Sequence, residues 1–176
     1  MNKNAIDWFD EIVEPCKKTA QEKAQSYGSS WTWYRARSLV DRIFSKAKRI
    51  RTIQDTGENK VGESIQSEFE AILNYSVMFL IQSKRKFQPE NLSSDEVLKQ
   101  YEENLLVCKT LMKKKNHDYG EAWRDMSQVG IVDEIIVKLE RVKQLLKEKQ
   151  DVSDNIPDVT NYAIFALILI KEGRED

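Results

Sequence analysis

Lys46 with Arg49 and Lys138 with Arg141 share one spacing, and these residue types could do chemistry. On a helix that spacing places an ammonium and a guanidinium on one arc, and two such pairs would suit a chain of phosphates. Asp154, Asp158 and Asn161 follow one another at one-turn intervals, so Asp154 and Asp158 could hold a hard divalent cation, Mg²⁺, or orient a water. Tyr119 and Trp123 offer faces on which a flat ring could stack. Each set also has a plainer reading. The charges could form ion pairs on a helix face, Asp154 and Asp158 could cap a helix, and the rings could lock a turn. His117 is the only histidine, and no phosphate loop, zinc or serine-hydrolase motif occurs.

The elements that must position these residues come twice. Sliding the chain by about 92 positions lays Cys16-Lys17 on Cys108-Lys109, Lys23 on Lys115, Tyr27-Gly28 on Tyr119-Gly120, and Trp31 on Trp123. The same shift lays Asp41, Ile43, Lys46 and Arg49 on Asp133, Ile135, Lys138 and Arg141, with about twelve identities in about forty-four positions. After a slip of five residues, Asn74-Tyr75 meets Asn161-Tyr162. Each half therefore reads as a long helix, a Tyr-Gly-x-x-Trp connection, a second helix carrying Asp/Lys/Arg, and a third helix opening on Asn-Tyr. The copies differ in acids: Asp118, Glu134, Asp154 and Asp158 stand where the first half has Ser26, Arg42, Ser67 and Ala71, with Glu68 and Glu70 close by.

The expected fold is all-α, a helical bundle built from two three-helix repeats related by a pseudo-two-fold axis. The boundaries expected are 1–86 for the first repeat, 87–93 for the linker and 94–176 for the second, within one compact domain. Leu39, Ile43, Ala47 and Ile50 form an apolar stripe beside Asp41, Ser45, Lys46 and Arg49, and Ile65, Phe69, Ile72, Ser76 and Phe79 form another. Ser38 to Asp41 and Ser93 to Glu96 have capping-box spacing, and Ser153-Asp-Asn-Ile-Pro157 precedes the last helix.

Composition agrees. With 6 Gly and 3 Pro in 176 residues, the chain is poor in the turn formers that an all-β fold needs. Its 28 Lys+Arg against 29 Asp+Glu leave a net charge of −1, which argues against a nucleic-acid partner, because phosphate contacts need clustered cations. The longest apolar run, Tyr162 to Ile170, is too short to span a bilayer. The start shows no signal-peptide core, and Cys16 and Cys108 have no metal spacing and read as reduced thiols, so a cytoplasmic protein is expected.

Asp118-Tyr-Gly-Glu-Ala-Trp123, Asp133 with Lys138-x-x-Arg141, and Asp158-x-x-Asn161-Tyr162 together resemble the nucleotide modification associated domain, here in tandem over nearly the whole chain. That domain is in turn similar in helix layout to the MazG-like nucleotide pyrophosphohydrolases, whose acidic helices hold magnesium against a triphosphate. The chain departs from that pattern where Lys138-x-x-Arg141 stands in place of Glu-x-x-Glu. The resemblance implies a nucleotide or modified nucleotide as ligand, and it leaves open a Mg²⁺-dependent phosphoanhydride hydrolase. In that reading Lys46, Arg49, Lys138 and Arg141 neutralise phosphate, and Asp154 and Asp158 are the catalytic and metal-holding pair. Tyr119, Trp123 and Asn161 complete the nucleotide site. The alternative is a non-catalytic scaffold or regulatory subunit of a nucleotide or DNA modification system, in which the charged arc closes into salt bridges with no cavity. The pseudo-dimer could itself pair again as a homodimer.

Overall fold

The computed structural model describes residues 3–152 and 154–174. Six helices follow one another: α1 (Ala5–Tyr27), α2 (Ala36–Thr56), α3 (Ile65–Lys84), α4 (Ser94–Tyr119), α5 (Gln128–Lys147) and α6 (Ile156–Lys171). Short 3-10 turns, Ser30–Trp33 and Ala122–Asp125, join α1 to α2 and α4 to α5. Among the described residues there is no strand. The all-α expectation and the repeat order therefore hold.

Local chemistry sets the ends of the helices. Asn4 caps α1, its Oδ1 accepting from the amides of Ile6 and Asp7 at 2.9 and 3.0 Å. The Ser93–Glu96 capping box is formed as the spacing predicts. The Ser38–Asp41 box is not: α2 begins three residues earlier, after Arg35, and Asp41 instead accepts from Arg37 Nε at 3.0 Å. Ser153 lies outside the described residues, while Pro157 occupies the first turn of α6 as expected.

The Tyr-Gly connection has a steric reason. Gly28 ends α1 at φ +69°, and a Cβ there would sit 2.7 Å from Asn91 Oδ1, so only glycine fits both the angle and the approach. Residues 85–93 between α3 and α4 are tied to that same corner. The Glu90 carbonyl accepts from Ser29 Oγ at 3.1 Å and Thr32 Oγ1 at 2.6 Å.

Each helix lies against its own counterpart, α1 on α4, α2 on α5 and α3 on α6. The ion pairs across this interface repeat as well: Lys17 reaches Glu102 at 3.1 Å and Lys109 reaches Asp10 at 2.7 Å. Helix α6 is apolar nearly all round, so it can only be a central helix, and its buried residues run from Ile156 to Leu169. One contiguous core draws its buried residues from both repeats.

Candidate functional site

The last turns of α4, the second 3-10 turn, α5 and α6 enclose a cavity of about 390 Å³. Met112, Lys115, Asn116 and Tyr119 enter from α4, and Asp158, Asn161, Tyr162 and Phe165 enter from α6. Both sets step by three and four residues, which brings each to one helix face. Lys138 of α5 and Trp123 of the 3-10 turn complete the wall.

That turn is held rigidly. Arg124 donates to Glu121 at 2.8 Å and to Glu172 at 3.0 Å, and Glu172 also accepts from Trp8 Nε1 at 2.9 Å. Trp123 is thereby stacked on Phe165, with ring centroids 4.4 Å apart and planes 5° from parallel.

Charge in the cavity converges on one carboxylate. Asp158 accepts from Lys115 Nζ at 2.6 Å on one oxygen and from Lys138 Nζ at 3.0 Å on the other. Burial first, and then the Glu134 and Asp158 carboxylates, push the Tyr162 phenol above its ordinary 10.0, so it remains a neutral donor. Three further polar atoms on the lining residues are buried without a hydrogen-bond partner among the described residues: Asn116 Nδ2, Trp123 Nε1 and Asn161 Oδ1. Groups left in that condition typically cost about 1–3 kcal/mol each.

The same cavity exists in the first repeat, with a volume of about 280 Å³. Lys23, Tyr27, Trp31, Lys46, Asn74 and Tyr75 line it at the positions equivalent to Lys115, Tyr119, Trp123, Lys138, Asn161 and Tyr162. The Asn74 amide oxygen has a partner that the Asn161 oxygen lacks. It accepts from the Tyr101 hydroxyl, whereas the repeat counterpart of Tyr101 is Phe9, which has none. We therefore expect Phe9→Tyr to supply the missing donor to Asn161 and to stabilise the protein by about 0.5–1.5 kcal/mol. A higher urea midpoint at unchanged m-value would show it, and a lower midpoint would mean that the hydroxyl finds no room.

The sequence-derived site residues divide. Tyr119, Trp123, Lys138, Asp158 and Asn161 meet at one cavity, and Lys46 lines the other. Asp154 is not with Asp158; it lines a separate groove with Lys84 and Lys114. Arg141 is exposed and donates to Gln144 at 3.2 Å. Arg49 lies 3.0 Å from Glu68, whose side chain is 2% exposed and also faces Lys46 at 3.4 Å. The four cations are thus not gathered at one place. Helix α2 and helix α5 each turn their lysine toward their own third helix, not toward the axis.

Ion pairs and an open cavity coexist here, where the scaffold reading expected the pairs alone. Lys115, Asn116 and Tyr162 belong to the site although sequence reasoning did not choose them. Lys115 could have been found, because it repeats Lys23 in register, and Asn116 stands out only when set against its counterpart Ala24.

Among the described residues no helix is long and apolar enough to cross a membrane. No curated protein and no solved structure gives a match to the chain. The family model of nucleotide modification associated domain 1 matches residues 23–83 and 115–170, two segments that begin and end at equivalent points of the repeats. Matched over most of its length, and twice at the same positions of a duplicated architecture, this chain belongs to the nucleotide modification associated domain 1 family.

Proposed function

We propose that the second-repeat cavity binds a nucleotide or modified nucleotide, with the base inside and the phosphate toward the rim. The observation that carries this reading is a pair of unpartnered buried donors, Asn116 Nδ2 and Trp123 Nε1, on residues lining one aromatic-walled cavity. Two donors on an otherwise apolar wall form the kind of sparse polar pattern that orients a heterocycle. Tyr119, 71% exposed at the mouth, offers a face for stacking. Lys115, at the rim, would meet phosphate, and Asp158 would accept from an amino or hydroxyl group.

Hydrolysis through Mg²⁺ fits the residues less well. Asp158 has an ammonium on each oxygen, Asp154 lies elsewhere, and the described residues hold no group of three or more acids, histidines or cysteines placed for a metal. The donor set present does not fit a hard divalent ion, so the proposed activity is binding.

Titrating the full chain calorimetrically with a panel of nucleosides and nucleotides tests the reading. Saturable, base-selective binding is expected, weakened about tenfold by Asn116→Ala, which removes a buried hydrogen-bond donor yet restores the residue that the first repeat tolerates. If no member of the panel binds, or if Asn116→Ala leaves affinity and base preference untouched, the cavity is not a nucleotide site.

A further inference from the structure

The two cavities share their outline but not their charge. In the second repeat, Asp158 stands in the wall between Lys115 and Lys138. In the first repeat that position is Ala71, so the wall carries Lys23 and Lys46 and no carboxylate. The acid that serves Lys46 is Glu68, which does not line the cavity and is shared with Arg49. No ion pair engages Lys23 among the described residues. Arg42, where the second repeat has Glu134, adds another cation at the rim, donating to the Tyr34 hydroxyl with its guanidinium 4.9 Å from the Tyr34 ring and 5.9 Å from that of Tyr75.

We infer that the first-repeat cavity is a second ligand site, distinct in specificity from the other, which takes a phosphate-type anion between Lys23 and Lys46. An unpaired ammonium beside a cavity, with a second one at its wall and no acid facing in, favours an anion. The aromatic lining of Tyr27, Trp31, Tyr34 and Tyr75 accommodates a ring attached to it. The duplication has thereby divided recognition. One copy reads hydrogen bonds around a neutralised centre, and the other reads negative charge.

The four tryptophans give a site-resolved readout, because Trp31 lines the first cavity and Trp123 the second. The full ¹⁵N-labelled chain is titrated with inorganic pyrophosphate at low salt, and the indole N–H signals are assigned with Trp31→Phe and Trp123→Phe. The Trp31 signal should move saturably while that of Trp123 stays. Lys23→Gln, an exposed position, should weaken the effect about tenfold through loss of a charge-assisted contact. Ala71→Asp, which copies the carboxylate of the second repeat, should do the same. A parallel titration with a nucleoside monophosphate tells an attached phosphate from a free one, since the tighter of the two names the source. A Trp31 signal that never moves, that moves equally in both variants, or that is replaced by movement of Trp123 alone would overturn the inference. Pyrophosphate has no base, so its failure leaves the nucleotide reading of the second cavity standing. Failure of nucleosides at Trp123 likewise leaves this site standing.

Discussion

Replacing Glu68 with Ala should lower the free energy of unfolding by about 2–3 kcal/mol, an amount large enough to read directly as a shift in urea midpoint. The carboxylate is 2% exposed and faces both Lys46 at 3.4 Å and Arg49 at 3.0 Å. Removing a fully buried partner costs roughly 3–5 kcal/mol, because the opposite charge is left desolvated and alone. Here Lys46 and Arg49 keep 31% and 22% of their side-chain surface, so water recovers part of that loss and the smaller figure applies. Glu68→Gln should cost less, since an amide can still accept from either cation. The control is Asp41→Ala, which removes an exposed i,i+4 partner of Arg37 and should change stability by under about 0.5 kcal/mol. Equal losses at positions 41 and 68 would mean that burial does not set the strength of these pairs.

The position of that acid explains what the sequence could and could not show. Repeat comparison places Glu68 opposite Asn155 and Asp158 opposite Ala71, so the two copies supply a carboxylate to the second-helix lysine from positions one turn apart. Direct matching of acids therefore fails, although the pairing itself is retained in both halves. The lysines, the Tyr-Gly-x-x-Trp connection and the Asn-Tyr opening of the third helix were legible because identity in register marks them. The helices were legible because apolar spacing of three and four residues survives any change on the polar face.

What the sequence does not carry is direction around the bundle. Lys138 and Arg141 lie on one arc of α5, yet 60° of rotation decides that the first lines a cavity and the second meets solvent. Asp154 and Asp158 are one turn apart in numbering, but Asp154 precedes α6, so helical geometry does not extend back to it and the two carboxylates face different hollows. The start of α2 is likewise set by its surroundings and not by its own residues. Ser38 has the right neighbour for a capping box, but the 3-10 turn and the Gly28 corner fix the entry of the chain three residues earlier.

Raising the pH from 8 to 10 should destabilise the protein by about 3 kcal/mol through its two cysteines alone. Burial pushes the Cys16 and Cys108 thiols up from 9.0 to about 12, with Glu70 adding to the effect at Cys16. Tyr101, raised well above 10.0 first by burial and then by both thiols, belongs to the same apolar region. The sign follows from which state keeps its proton. The folded chain holds each thiol proton to about pH 12, whereas the unfolded chain releases it near pH 9. This contribution is therefore complete below pH 9 and is lost as the pH climbs toward 12. Each thiol contributes a slope approaching about 1.4 kcal/mol per pH unit above the unfolded value. Urea unfolding of the wild type and of a Cys16→Ala/Cys108→Ala variant at pH 8 and pH 10 separates this from lysine titration, which both proteins share. The variant starts less stable at pH 8, because two buried sulfur atoms are gone, but it should lose far less than the wild type on going to pH 10. Parallel losses in the two proteins would mean that the thiols reach water before the chain unfolds, and native-state labelling by iodoacetamide at pH 8 would then be rapid instead of absent.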